Sequence, residues 1–431
     1  MPTSLNPKRT VAELKDLRRL TSDENGAQRV AFTPKWVETR AWLTAKLAEL
    51  PVEVHTDEAG NLWATLRGES EKSLLMGGHM DSVPNGGWLD GCLNVMAGLE
   101  VLRRINEQYK GKPPVTVRLV DWADEEGARF GKSLFGSSAC SGALNMDDSR
   151  GLKDREGIGL PEALKKVGVD FERVKECGKE LKNAGAYLEL HIEQGPVLLD
   201  LDLPLGAVLG TFGVERHAIT FHGQAAHSGS TPMNRRKDAF LAAAKMSPEI
   251  YKITDRHGGV CTIGSCTTKP GIVTSVVEEC RITLDQRHLD AASLAKMLAE
   301  AKEASEKFAK EGNVKVSWER LWQIEPVLFD KQLIDFCADA IGETLGVQPS
   351  GCSPPPAGQP KGWTPNVHRL PSGPLHDAAE TGRAGVPTVM MFVQSLHGIS
   401  HNKIEDTKEE HLEMCVTAFD KLAEKSINWL K

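Results

Sequence analysis

Asn94 to Trp122 reads NVMAGLEVLRRINEQYKGKPPVTVRLVDW. As far as Glu107 the apolar residues recur at helical spacing, and Val115–Trp122 is then a short, mostly apolar run. Such a run predicts a core strand. A helix leading into such a strand is the building step of an α/β sheet, and these sheets offer chemistry at the carboxyl ends of their strands. Working outward, Thr33–Leu50 predicts a helix after a Thr-Pro start signal. Val52–His55, Leu62–Leu66 and Leu74–Met76 predict short strands.

Near Gly210 the texture changes. Ala218–Gly223, a helix around Arg236–Met246, Val260–Cys266 and a strand at Val276–Arg287 come first. A long Ala/Lys/Glu-rich helix, Ala291–Lys310, and Val314–Leu321 follow, which is the pattern of a compact α+β unit. After about Pro326 the α/β texture resumes with a helix at Lys331–Leu345 and a strand at Pro387–Val393. Between these lies a Pro/Gly-rich loop, GCSPPPAGQPKGWTP, at residues 351–365. The simplest organisation is an α/β domain of residues 1–212 and 328–431, interrupted by a smaller domain of residues 213–327.

Composition sets the outer bounds. At 431 residues the chain exceeds the usual single-domain length, and 40% hydrophobic with 26% charged residues is an ordinary globular balance. Fifty-nine acidic against 52 basic side chains leave a net charge of −7, so no nucleic-acid partner is expected. No apolar run approaches the ~18 residues of a membrane span. The opening MPTSLNPKRTVAELKDL has no apolar core of a secretory signal. Nine scattered cysteines without a CxxC pair suit mostly buried, reduced thiols in a cytoplasmic protein. A dehydrogenase is disfavoured because no GxGxxG follows the early strands.

Four segments carry chemistry, and each places a ligand-type side chain where an apolar strand gives way to a breaker. In GGHMDSVPNGGWLDG, Gly77–Gly91, a strand runs into His79 and Asp81, and Asp90 follows in a Gly-rich turn. His and Asp suit a borderline divalent ion, and Asp81, two residues from His79, would steady it from behind. In DWADEEGARF, Asp121–Phe130, the adjacent Glu125 and Glu126 would face opposite ways, one as a metal ligand and the other as a general base. His191 in YLELHIEQGP and His401 in HGISHNKIED repeat the arrangement. Taken together, His79, Asp90, Glu126, His191 and His401 suffice for two metal ions sharing one carboxylate.

These motifs, with GQAAHSGSTPMNRRKDA and GISHN, resemble the amidase branch of the dinuclear metallopeptidase superfamily over about Arg29 to Ile427. That branch holds N-carbamoyl-L-amino acid hydrolases, allantoate amidohydrolases and fungal-type β-ureidopropionases. The resemblance implies an α/β fold: a mixed-sheet dinuclear metallohydrolase domain interrupted by an α+β lid and dimerisation domain. It implies His79 and His191 as terminal ligands, Asp90 as the bridge, Glu126 and His401 completing two divalent ions, Glu125 as general base and Asp81 orienting His79. The ions would be zinc, with manganese, cobalt or nickel also suited. It implies a homodimer in which His227 reaches the partner's site to polarise the scissile carbonyl. Arg216 and Arg287 would hold a substrate carboxylate, with Gln194, Thr274 and His376 in the substrate pocket.

The sequence departs from the branch at Asn94 and Thr274, where Gly and Asn are usual, and at Pro374-Leu375, where Ala-Gly is usual. The implied reaction is hydrolysis of a linear amide or ureido C–N bond, with an N-carbamoyl amino acid giving amine, carbon dioxide and ammonia. An N-acyl-amino-acid deacylase or dipeptidase on the same centre is the alternative, and a non-catalytic binding protein of the same fold a more distant one.

Overall fold

The computed structural model describes residues 5–346 and 367–431, so the Pro-rich loop at 351–365 lies outside the described residues. The chain forms two compact units, Met1–Gly210 with Phe329–Lys431, and Thr211–Leu328.

The first unit opens with helices α1 (Pro7–Thr21) and α2 (Pro34–Leu47), each with proline in its first turn. The side chains of Asn6 and Thr33 cap them by accepting backbone N–H groups. Strands β1 (Glu53–Thr56), β2 (Leu62–Leu66) and β3 (Ser70–His79) come next. Helix α3 (Cys92–Gln108) then leads into β4 (Val115–Trp122), and the short helix α4 (Phe135–Ser141) follows the acidic turn. Strands β5 (Ala184–Ile192) and β6 (Leu205–Thr211) close this first stretch.

The second unit is a four-stranded antiparallel sheet carrying two long helices on one face. Its chain order is β7 (Gly213–His222), β8 (Ala226–His227), α5 (Ala239–His257), β9 (Val260–Lys269), β10 (Ser275–Val276), β11 (Glu279–His288), α6 (Ala291–Glu311) and β12 (Lys315–Ile324). The sheet order is β9-β11-β7-β12. Along β11 alternate residues are buried, and Cys280, Ile282 and Leu284 join Ile219, Phe221, Met246, Ile250 and Met297 in one apolar core. The sequence reading ends α5 near Met246, but the helix continues through Pro248. Pro248 and Ala244 lie on the exposed face, so the carbonyl freed by the missing N–H meets water, while Ile250 and Ile253 extend the buried stripe. The strand expected over Val276–Arg287 is broken in two, with β10 pairing β8 and β11 pairing β7.

The chain returns to the first unit with α7 (Lys331–Leu345), β13 (His368–Ser372), α8 (Asp377–Arg383), β14 (Thr388–Val393) and α9 (Glu409–Leu430). The main sheet is mixed and runs β6-β14-β5-β3-β4-β2-β1. Its four central strands, β14, β5, β3 and β4, are parallel neighbours, and the strands on either side run antiparallel. Residues Leu74–His79, Leu188–His191 and Thr388–Val393 are buried throughout, as strands covered on both faces must be. Helix α3, buried from Cys92 to Ile105, packs against β3, α1 and α9. All four parallel strands point their carboxyl ends the same way. Among the described residues no helix is long and apolar enough to cross a membrane, and the eight described cysteines are free thiols, buried except for Cys261 and Cys266.

Candidate metal centre

Each parallel strand delivers a polar side chain at or just beyond its carboxyl end. Strand β3 ends on His79, β5 carries His191 as its last residue but one, β4 runs into Asp124, Glu125 and Glu126, and β14 precedes the loop bearing His401. Asp90 enters from the turn before α3. Gly91 makes that turn possible: its φ is +66°, and a Cβ there would overlap the His79 ring. Arg40 pins the strand ends from below, donating to Asp121 Oδ2 at 2.7 Å, while Asp121 Oδ1 accepts the Met80 N–H at 2.8 Å.

The result is two groups of donors sharing one residue. His79, Asp90 and His191 form the first and Asp90, Glu126 and His401 the second, the ligand atoms of each lying within 4.8 Å of one another. His79 Nε2 and His191 Nε2 stand 3.6 and 3.1 Å from Asp90 Oδ1. His401 Nε2 is 3.4 Å from Asp90 Oδ2 and 3.2 Å from Glu126 Oε2.

Hydrogen bonding fixes which way the buried imidazoles present themselves. His79 Nδ1 lies 3.2 Å from the Asp81 carbonyl, and His191 Nδ1 lies 2.8 Å from the Ile192 carbonyl. Carbonyls only accept, so both Nδ1 atoms carry a proton, and in the neutral ring each Nε2 turns a lone pair inward. Those two Nε2 atoms are buried without a hydrogen-bond partner. Lone pairs of nitrogen and of a carboxylate facing each other at this separation call for a cation between them, and the donor set fits a divalent ion. The surroundings also favour positive charge, since Asp90 and Glu126 push the His401 imidazole up to about 11.

Asp81 backs His79 and also does a second job. Its carboxylate is 3.6 Å from His79 Nδ1, beyond hydrogen-bond reach, and the backbone carbonyl of the same residue takes that role. The carboxylate instead accepts the backbone N–H groups of Glu125 at 3.3 Å and Glu126 at 3.2 Å. It therefore holds the acidic turn, which is not the extended segment the sequence suggested: Asp124 sits at φ +56°. The turn still sends the two glutamates apart. Glu126 meets His401, with Val83 N–H on its other oxygen at 3.3 Å, and Glu125 Oε2 lies 3.7 Å from His79 Nε2. Burial holds the Glu125 carboxyl well above the ordinary range; His79 opposes this, and Asp377, Glu126 and Asp81 add to it.

Gln194 and His376 also reach this centre. Gln194 Nε2 donates to Asp90 Oδ2 at 2.9 Å and lies 3.2 Å from Ser400 Oγ. The His376 ring lies 4.3 Å from that of His191, and burial with the neighbouring His191 keeps it neutral, well below the usual value.

Two supporting residues escaped the sequence reading. Glu405 Oε1 accepts the backbone N–H groups of Leu89 and Asp90, both at 3.1 Å. Its other oxygen accepts from Ser400 Oγ at 2.7 Å, and Gly87 leaves room for the carboxylate where a Cβ would overlap it. Nothing in GISHNKIED distinguishes this glutamate from a surface charge, so only the tertiary fold reveals it. Glu189 is the second, accepting from Tyr187 Oη at 2.8 Å, while Trp122 Nε1 donates to that oxygen at 3.0 Å. The alternation of YLELH, with Tyr187, Glu189 and His191 on one face, was a usable signal.

The remaining candidates lie in the second unit. His227 is exposed at the end of β8, opposite Ser275 of β10, and the Thr274 carbonyl accepts the Ser228 N–H at 2.9 Å. Backbone N–H groups of Gly229 and Ser230 donate to His227 Nδ1 at 3.1 and 3.2 Å. Nδ1 is thus an acceptor, and a neutral His227 carries its proton on Nε2, the reverse of the tautomer of His79 and His191. Arg216 and Arg287 converge on one carboxylate, that of Asp285, which lies opposite Arg216 in the register. Arg216 Nη2 is 2.6 Å from Asp285 Oδ2, and Arg287 Nε is 2.8 Å from Oδ1.

A mixed sheet with its donors gathered at the carboxyl ends of parallel strands defines a metallohydrolase-like α/β centre, and the comparisons agree. The chain belongs to peptidase family M20/M25/M40, which matches residues 75–425. It is 35% identical over 390 residues to an N-carbamoyl-L-amino acid amidohydrolase of Geobacillus stearothermophilus, covering 89% of this chain and 90% of the relative. An allantoate amidohydrolase of Escherichia coli K12 is 31% identical, with 89% and 88% covered. A crystal structure of an amidase of the hydantoinase/carbamoylase family from Burkholderia multivorans superposes with a TM-score of 0.86 at 28% identity, covering 98% of each chain.

Proposed function

We propose that this chain is a metal-dependent amidohydrolase that cleaves a linear ureido or carbamoyl C–N bond, with N-carbamoyl amino acids as its substrate class. The observation that carries the reading is the carboxylate of Asp90 shared between two donor groups, faced by buried imidazole lone pairs that have no partner. The relatives named for N-carbamoyl-L-amino acid and allantoate hydrolysis support the choice of bond. His79, Asp90 and His191 would hold one divalent ion, and Asp90, Glu126 and His401 the other. Zinc suits this N/O set, and manganese, cobalt and nickel are compatible with it. When bound, such ions supply Lewis acidity toward the substrate carbonyl and toward water.

The chain's own residues do the rest. Glu125, whose raised carboxyl sits closer to neutrality than an ordinary glutamate, takes the proton of the attacking water and returns it to the leaving nitrogen. His227 donates its Nε2–H to the carbonyl oxygen, from the partner subunit of a homodimer. Arg216 and Arg287 hold the substrate carboxylate, and Gln194, Thr274 and His376 line the pocket. With an N-carbamoyl amino acid the products are the amino acid, carbon dioxide and ammonia. The same reading has the enzyme working in the cytoplasm, in keeping with its free thiols.

The test is a metal-reconstituted assay against carbamoyl, ureido, acyl and peptide substrates, with ammonia and amine read separately. Stoichiometric release of both from an N-carbamoyl amino acid is expected. Amine without ammonia, from acyl or peptide substrates alone, would move the enzyme to the deacylase or dipeptidase class.

A further inference from the structure

We propose that Cys140 and Cys177 form a peroxide-oxidisable dithiol, a covalent modification site behind the acidic turn. Cys140 lies near the end of α4, and Cys177 in the 3-10 segment Phe171–Leu181. Their sulfurs are 3.1 Å apart across 37 residues of chain. Among the described residues the other close pair, Cys266 and Cys280 on neighbouring strands, sits at 3.6 Å. Cys177 is fully buried and Cys140 only 5% exposed, so the two thiols face each other inside the fold.

Asp57 approaches Cys140 Sγ to 3.7 Å, which makes the trio resemble a cation site. The carboxylate is already saturated. Its Oδ1 accepts the N–H groups of Ala59 and Asn61, both at 2.9 Å, and its Oδ2 accepts Asn61 Nδ2 at 2.9 Å and Trp63 Nε1 at 2.8 Å. A metal ion would have to displace these bonds, whereas a sulfur–sulfur bond leaves them in place. Burial and then Cys177 and Asp57 hold the Cys140 thiol well above its usual range, so Cys140 rests protonated and its reaction quickens as the pH rises.

The chemistry balances with hydrogen peroxide as the named oxidant. A thiolate of the pair attacks one peroxide oxygen, giving a sulfenic acid and, after protonation, water. The second sulfur displaces the sulfenic oxygen as a second water, so two thiols lose two hydrogens and the peroxide becomes two waters. Access is local: along Phe171–Leu181 only Phe171, Val174, Cys177 and Leu181 are buried, a thin cover that opens more readily than the sheet.

The bond would clamp the backbone that carries Glu125 and Glu126. Leu134, Phe135 and Gly136 donate to the carbonyls of Glu125, Asp124 and Ala123 at 2.7, 3.1 and 2.8 Å. Asn61 Oδ1 accepts the Ala123 N–H at 2.9 Å, and the same side chain lies 3.5 Å from Cys140 Sγ. The inference is independent of which amide the enzyme cleaves.

The experiment treats the full-length protein with a small excess of hydrogen peroxide, alkylates it under denaturing conditions and maps peptides without reduction. A linked peptide joining Cys140 and Cys177, lighter by two hydrogens and lost on adding dithiothreitol, is expected. The yield should rise between neutral and mildly alkaline pH, and amide exchange over α4 and the acidic turn should slow. Cys140→Ser and Cys177→Ser should each abolish the link; if either fails to fold, the reversible link mapped in the wild type decides alone. Full alkylation of both cysteines after peroxide, or a link confined to Cys266 and Cys280, would overturn the proposal. So would protection of Cys140 and Cys177 from alkylation by zinc ions, which would assign the trio to a cation instead.

Discussion

Glu405 accepts the backbone N–H of Asp90 at 3.1 Å, although 315 residues separate them in the chain. The loop that presents the shared carboxylate is therefore held by a residue four positions beyond His401. Replacing Glu405 by alanine leaves two N–H groups unpaired and frees Asp90 to turn. We expect the apoprotein of Glu405→Ala to bind zinc about 10-fold or more weakly in calorimetric titration. Glu405→Gln, whose amide oxygen still accepts, should stay near wild type. Equal affinity for the alanine variant and the wild type would remove this supporting role.

Glu125 is the proposed proton carrier, and Glu126 its neighbour the proposed ligand. Glu125→Gln should retain full metal content by elemental analysis while turnover falls by about 10²–10⁴. Near-native turnover with metal bound would disqualify Glu125 as the base.

His227 has its tautomer fixed by the N–H groups of Gly229 and Ser230. A proton on Nε2 should appear in nitrogen-resolved NMR of the ring, and His227→Ala should lose about 10²–10³ in turnover. Mixing that variant with Glu125→Gln chains should restore part of the activity if His227 serves the partner subunit. No recovery after confirmed subunit exchange would confine it to its own chain.

Glu180 offers a test of stability away from the centre. Burial works to raise its carboxyl, but hydrogen bonds from His55 and Arg118 bring it from 4.5 down to about 2. A depressed folded-state value means the stabilisation is complete above about 4.5 and drains away as the pH falls toward 2. Glu180→Gln should cost on the order of 2 kcal/mol at neutral pH and flatten the acid limb of the stability curve. An unchanged acid limb in urea titrations across that window would contradict the pairing.

The central strands were the most legible part of the sequence. Val115–Trp122 and Leu62–Leu66 were bounded to the residue, because apolar side chains predominate in both and polar ones occur only singly. Helix α5 was expected to end near Met246 and runs on through Pro248, because local propensity carries no information about which face meets solvent. Around the centre, the strand-end pattern picked out His79, Asp90, Glu126, His191 and His401, and the fold gathers all five. Asp81 stands behind His79 as its spacing suggests, but its hold on the acidic turn through the N–H groups of Glu125 and Glu126 was not legible, because no local pattern encodes it. Glu405 was invisible for a related reason: its partner is a backbone N–H at the far end of the chain, and no local pattern encodes that.

Glu126 and His401 stand on opposite sides of the whole second unit in chain order. A ribosome making this polypeptide releases the acidic turn long before its imidazole counterpart has been polymerised. The side chains of the first group, His79, Asp90 and His191, are all present once His191 has been added, but the second group waits for translation to pass His401. A messenger truncated between the codons of His191 and His401 yields a protein with the side chains of only half a centre, however well its first two hundred residues have folded.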